Sequence, residues 1–475
     1  MYFIIKRVSL KMSKSYSMDM CSGSVIKKML LFSRPLMASG VLQLLFNAAD
    51  VIVLGKFAGD DSMGAVGSTS SLINLFTNLF VGLAVGVNVL AARAHGANSR
   101  AEMRDIVHTS VLLSAICGVV IGAIGAIIAP ELLILMNAPE TLLPLATTYL
   151  RIYFLGMPAV LVYNFGAAIL RAVGDTKRPL YFLLTAGIIN LLLNLLFVIA
   201  FKMDTAGVAL ATIISQYISA FLTMLCLVKE QSSIHLDFRR LAIKKGVLFS
   251  IIRVGLPAGF QGMLFSLSNV VIQSSVNMFG DSTVDGNTAA QSIEGFIYMA
   301  MNTFYQAAIS FTGQHVGAKK FYRIPKILAS ALLCVTVTGL SLGWIAFLFG
   351  RPLLGIYSGT PEVVEAGMRR MAVISTTYAL CGCMDVMVGM LRGLGRSVMP
   401  MLVSLAGACG LRLLWIATIF QVPDFHNITT LYISYPISWG ITFLTHIICY
   451  IIVWRGVKKR EFEHFGQDTQ RSERS

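Results

Sequence analysis

Apolar runs of about 20 residues or more recur from Pro35 to Trp454, separated by short polar segments rich in Gly, Pro and basic residues. A helix of about 20 apolar residues crosses a hydrocarbon core of about 30 Å. The pattern therefore predicts twelve membrane-spanning helices, over roughly 35–57, 64–92, 106–129, 142–170, 179–201, 205–228, 249–279, 286–314, 325–349, 362–391, 398–421 and 430–454. Several carry internal Gly or Pro, such as Pro158, which neighbouring helices can accommodate. The expected fold class is an all-α polytopic membrane protein.

The pattern also repeats. LRAVGDTKRP (Leu170–Pro179) returns as LRGLGRSVMP (Leu391–Pro400), a spacing of 221 residues. Gly96-Ala97 returns as Gly317-Ala318 at the same spacing, Phe57 to Asp60 is echoed by Phe279 to Asp281, and Pro35 by Pro257. Helices 1–6 and 7–12 thus form two copies of one bundle. Each copy has an even number of helices, so both point the same way and are related by a pseudo-two-fold axis along the membrane normal, with a central cavity between the lobes. The expected domains are a tail over 1–34, an N-lobe over 35–228, a connector over 229–248, a C-lobe over 249–454 and a second tail over 455–475.

Charge tests the count. Charged residues make up 13% of the chain and hydrophobic ones 56%, far from the roughly 25% charged of a soluble domain. With both termini placed in the cytoplasm, 31 of the 38 Lys and Arg fall in the tails and inner loops, and the outer loops keep only Lys56, Lys202 and Arg351. The outer loops instead collect acids, among them Asp60 and Asp61. The net charge of +15 is then topology and no sign of nucleic-acid binding. The eight cysteines include no CxxC and read as small buried hydrophobes, with no disulfide framework. The N-terminal apolar run, Tyr2 to Ile5, is too short for a signal-peptide core, and Met18 is an alternative start.

Within this apolar background, Asp50 in helix 1 is the first buried acid. An ionised carboxylate in hydrocarbon is costly, so Asp50 must face protein or a wet cavity, and a proton or metal-cation site is the default reading. The bland alternative is a carboxylate held by polar neighbours for packing alone. Asn47 lies one turn earlier on the same face. Three further charges sit within spans: Glu294 in helix 8, Asp385 in helix 10 and Arg412 in helix 11. Asp385 and Arg412 can serve as ion-pair partners, each otherwise costly, or Asp385 can line the cavity. Glu294 can attract cationic substrates or pair locally. Arg151, Arg369 and Arg370 lie toward outer ends, where snorkelling explains them. Helix 8 also carries Phe296, Tyr298, Met299, Met301, Phe304 and Tyr305, a stripe that suits flat lipophilic cations and equally suits ordinary packing. Histidines are scattered, so no enzyme site assembles, and no P-loop is present for nucleotide.

The order of several motifs resembles the multidrug and toxic-compound extrusion (MATE) family in its bacterial form. They are NAADVIVLG (Asn47–Gly55), AHGA (Ala94–Ala97), YNFGAAILRAVGDTKRP (Tyr163–Pro179), INLLLNLLFV (Ile189–Val198), AAQSIEG (Ala289–Gly295), QHVGAKK (Gln314–Lys320) and MLRGLGRSVMP (Met390–Pro400). The resemblance implies a secondary active antiporter in the bacterial inner membrane. It would export amphipathic, often cationic drugs in exchange for protons or sodium, without cofactor or nucleotide and as a monomer among membrane lipids. It implies a coupling site of Asp50 with Asn190 and Asn194 in helix 5 and Thr212 in helix 6. Some relatives carry an Asp where Asn194 stands. One negative charge suits a proton better than sodium, although sodium at Asp50 stays open. In helix 7, Gln261, Ser266, Ser268, Asn269 and Gln273 stand where a sodium-coupled branch has a Glu, and Asp385 only loosely matches that branch's helix 10 acid. A flippase of lipid-linked oligosaccharide, in the same superfamily, is the alternative, and an intramembrane enzyme the distant one.

Overall fold

A computed structural model describes residues 16–58, 60–136 and 139–472, with the side chains of Asp60, Asp61, Met63 and residues 459–472 outside the description. The expectations for residues 1–15, including the Met1 start and the short apolar run, therefore lie outside the described residues, as do the outer-loop roles of Asp60 and Asp61.

The described chain is helical throughout its spans, and the twelve helices appear in the expected order. Helix 1 is Val25–Phe57, helix 2 Asp60–Gly96 and helix 3 Arg100–Leu135. Helix 4 is a pair, Leu143–Leu155 and Met157–Ala172, bent by 45°. Helix 5, Lys177–Leu195, runs on through a π turn, Leu196–Ala200, and helix 6 is Asp204–Lys229. Helix 7 is Lys245–Val276, helix 8 Asp281–Gly317 and helix 9 Ile324–Leu348. Helix 10 is again a pair, Pro361–Thr377 and Ala379–Gly393, bent by 44°. Helix 11 comprises Val398–Ser404, a π turn Leu405–Gly410 and Leu411–Ala417, and helix 12 is Ile428–Ser472. Nine of these are long and apolar enough to cross a membrane on their own, and eleven when each bent pair counts once. The twelfth, helix 8, is 37 residues long but carries Asp281, Asp285 and Glu294 along with many amides and hydroxyls, so composition alone does not single it out.

Three boundaries differ from expectation. Helix 1 starts ten residues before Pro35, because Ser24 caps it by accepting from the Lys27 amide and Pro35 lies inside the helix. Helix 12 does not stop at Trp454 but continues through the expected tail. Residues 16–24 are not a loose tail: they lie across the end of the bundle that carries the basic loops, and Met20 is fully buried.

The repeat is visible in detail. The turns Arg171–Asp175 and Arg392–Arg396 close with the same backbone bonds, from residue 174 to 171 and 395 to 392, and from 175 to 170 and 396 to 391. Gly174 and Gly395 have φ of 88° and 76°, a conformation that a side chain would strain. The two lobes meet where helix 2 packs on helices 7 and 8 over the halves nearest the basic end, and where helix 1 packs on helices 8 and 9. Asn78 Nδ2 donates to Ser266 Oγ at 3.0 Å, Ser310 Oγ to Asn88 Oδ1 at 3.1 Å, Gln314 Nε2 to the Ala172 carbonyl at 2.7 Å and Arg93 Nη2 to the Gly393 carbonyl at 3.0 Å. Among the described residues, Asn78–Ser266 is the inter-lobe hydrogen bond farthest from that end.

Candidate functional site

In the N-lobe, helices 1, 5 and 6 converge on Asp50. Asn190 and Asn194 stand one turn apart on helix 5 and both are buried. Asn194 Nδ2 donates to the Asp50 carboxylate. The same amide nitrogen lies 3.3 Å from Asn190 Oδ1, and Asn190 Nδ2 donates to Thr212 Oγ1 at 3.4 Å. The Thr212 hydroxyl also reaches the Asp50 carboxylate. All four residues expected at this site are therefore brought together. Asn47 is not part of it: it is exposed and is not bonded to Asp50. Val53, Leu54, Tyr149, Val198 and Val208 form an apolar wall around this end of helix 1. No Lys or Arg pairs with Asp50 among the described residues. Asn194 Oδ1 is sealed from solvent without a partner.

The arrangement bears on the ion. A small hard cation needs several oxygens turned toward it. Here Asn194 turns an amide donor toward the carboxylate, and no cluster of three acids, His or Cys exists among the described residues. Holding a cation among these oxygens would require Asn194 to reverse its amide.

The C-lobe is built differently. Glu294 does not stand free for a cation: Arg370 Nη2 bonds its Oε2 at 2.7 Å and Nε at 3.2 Å, while Arg370 Nη1 donates to Asn287 Oδ1 at 2.8 Å. Arg370 is 5% exposed, so the snorkelling expected of it is wrong. Its neighbour Arg369 is exposed. The signal was in the spacing. Val363, Gly367, Arg370, Met371 and Ile374 share one buried helical face, and 100° of rotation separates Arg370 from Arg369. The expected Asp385–Arg412 pair also does not form. Arg412 bonds Ser438 Oγ through Nε at 2.8 Å and lies 4.2 Å from the ring centroid of Tyr435 and 5.3 Å from that of Trp439. Asp385 faces Tyr298 and Arg392 instead. Arg392 turns inward to Tyr305 and to Gln261 Oε1, the latter at 2.8 Å. A cluster that sequence reading missed, Asp175–Arg178–Glu230, closes the N-lobe's basic-end turn.

The MatE family profile matches residues 35–196 and again 257–417, once in each lobe. The chain belongs to the MATE family of multidrug efflux transporters. It is 30% identical over 387 residues to the probable multidrug resistance protein YpnP of Bacillus subtilis (strain 168), covering 82% of this chain and 86% of that one. It is 26% identical to the probable multidrug resistance protein YoeA of the same strain, covering 91% and 95%. Among solved structures, the outward-facing conformation of a multidrug resistance MATE family transporter of the MOP superfamily superposes with a TM-score of 0.87 at 21% identity, covering 94% of this chain and 99% of that one. The family consists of transporters rather than enzymes, and its twofold match fits the internal repeat read from the sequence.

Proposed function

We propose that this MATE transporter is a proton-coupled antiporter that exports amphipathic, often cationic small molecules, with Asp50 as the proton carrier and Asn190, Asn194 and Thr212 as its positioning residues. The observation that carries this reading is Asp50 itself, an acid inside a membrane helix bundle that, among the described residues, is bonded only by neutral donors and has no basic partner. Fixed charge nearby would hold the carboxylate in one state, whereas neutral donors leave it free to change state. When ionised, it accepts from Asn194 and Thr212. When protonated, it becomes a donor, and the unpartnered Asn194 Oδ1 becomes an acceptor for it once the amide turns. Each protonation state thus has its own hydrogen-bond arrangement in helix 5, which links the charge on helix 1 to the packing of the N-lobe.

The basic end, where the lobes touch, is taken as the cytoplasmic face of a bacterial inner membrane, with both termini on that side and residues 229–248 as the connector. The lobes over 35–228 and 249–454 would then rock about the helix 2–helix 7 seam. Protonation from outside would repack helix 1 and release drug outward. The coupling ion is decided by ethidium export from proteoliposomes under an imposed pH gradient and, separately, a sodium gradient. We expect export under the pH gradient and its loss in Asp50→Asn, with the variant still folded. Export driven by sodium alone, or undiminished in Asp50→Asn, overturns the assignment.

A further inference from the structure

We propose that the C-lobe holds an anion subsite, centred on Arg412, for an aromatic amphipath that bears a carboxylate or phosphate group. The inference concerns a different lobe from Asp50 and does not depend on the proton reading.

The first observation is that Arg412 is a buried charge without a counter-charge. It is 6% exposed, and its Nε is held by Ser438. Neither Nη group takes a protein acceptor among the described residues, and no acid pairs with it. A buried guanidinium normally uses its planar fork on a carboxylate or phosphate. Here the two acids that could have served are engaged elsewhere: Glu294 with Arg370, and Asp385 toward Tyr298 and Arg392. Arg392 Nε, by contrast, is sealed away without a partner.

The second observation is the wall. Tyr298, Tyr378, Trp439 and Tyr435 follow one another in ring contact, with centroids 6.5, 5.4 and 5.6 Å apart, and the series ends on Arg412. Tyr298 and Tyr378, at the far end, are only half-buried. Met299, the next residue on helix 8, packs near Gly40 of helix 1. Such a row offers stacking area to a flat ring system, and the guanidinium at its end offers a fixed charge to an anionic group.

The repeat supplies the third. A spacing of 221 places Arg412 one residue from the counterpart of Asn190, and the counterpart of Asp50 is apolar, Val271 or Ile272. The C-lobe thus has no acid at the counterpart of Asp50 and carries a base beside the counterpart of Asn190.

The test uses detergent-purified full-length protein and three matched probes: 1-naphthyl phosphate, 1-naphthoate and neutral 1-naphthylmethanol, with binding read by equilibrium dialysis. We expect one or both anions to bind at least tenfold more tightly than the alcohol, and the tighter of the two names the group. Arg412→Gln should abolish that preference, while Asp50→Asn should keep it, so failure here and failure of proton coupling are separable. Equal binding of the alcohol, or an unchanged preference in Arg412→Gln, overturns the proposal. Should Arg412→Gln not fold, the wild type decides: phenylglyoxal modification of Arg412, followed by mass spectrometry, should be blocked by the tighter anion and not by the alcohol, and absence of protection overturns the subsite.

Discussion

Three acids lie inside the spans at Asp50, Glu294 and Asp385, and their neighbours give them different work. Asp50 meets only amides and a hydroxyl, whereas Glu294 meets Arg370 in a pair whose side chains are no more than 6% exposed. Removing one member of a buried ion pair strands the other charge in a medium that solvates it poorly. Glu294→Gln should therefore destabilise the protein by about 3–5 kcal/mol, read as a lower midpoint of thermal unfolding in detergent. An unchanged midpoint would mean that Arg370 finds another acceptor, with Asn287 the nearest. Asp50 was legible because an acid in a 20-residue apolar run stands out, whereas its partners Asn190, Asn194 and Thr212 were named only through the family resemblance. The Glu294–Arg370 pair was not legible, since the partners are 76 residues apart and only packing of helix 8 on helix 10 joins them.

At the scale of elements, the segment before helix 1 ties the lobes together. The Met18 amide donates to the Val173 carbonyl at 3.1 Å, and Tyr16 lies under Lys177, both at the N-lobe turn. On the C-lobe side, Met20 is buried against Phe311, Ile324 and Leu391, while Lys320 and Arg323 bond the Cys21 carbonyl at 3.2 and 2.6 Å. A strap with one foot on each lobe favours the arrangement in which the basic end is closed. Arg323→Ala should release it, seen as hydrogen exchange at least several-fold faster at Met18 and its neighbours, and unchanged exchange would show that Met20 alone holds the strap. The strap also has a pH limit. Hydrogen bonds from Ser22 and from the Cys21 amide, with Lys28 nearby, hold the Asp19 carboxyl below its ordinary range, and partial burial opposes them. A depressed acid stabilises the docked form fully above the ordinary value of about 3.9 and loses that contribution as pH falls through the docked value. Strap exchange should thus be insensitive to Asp19 between neutrality and pH 5 and should rise only in stronger acid. The strap escaped sequence reading because residues 16–24 show neither a helical nor an alternating pattern; tertiary contacts alone order them.

For the whole molecule, the lobes close on each other at two glycines related by the repeat. A Cβ on Gly96 would stand 2.0 Å from the Gln314 carbonyl oxygen, and one on Gly317 2.0 Å from that of Arg93. Backbone carbonyls in a helix cannot step aside, so any side chain pushes the lobes apart at this end. Gly317→Ala should shift the population away from the closed basic end, measured as a longer spin-label distance between helices 2 and 8 at that end, while helix content stays constant. A distance equal to wild type would show that the seam yields locally.

The sequence by itself determined the class of fold, the twelve helices, their sidedness relative to one another, the two copies and Asp50 as an acid within a span, while Asn190, Asn194 and Thr212 came from the resemblance to the MATE family. Each of the former rests on local rules: apolar length, charge at helix ends and residues repeating at a constant spacing, none of which requires knowing what touches what. Tertiary structure decided which buried charges are neutralised. Arg412 could have met Asp385 and meets Ser438 and an aromatic wall instead; Arg370 could have reached water and meets Glu294. Those outcomes depend on how helices 8, 10, 11 and 12 rotate against each other. A rotation of one residue, 100°, exchanges a lipid-facing side chain for a buried one, and the energy that sets it is shared over every side chain in the seam rather than written at any single position.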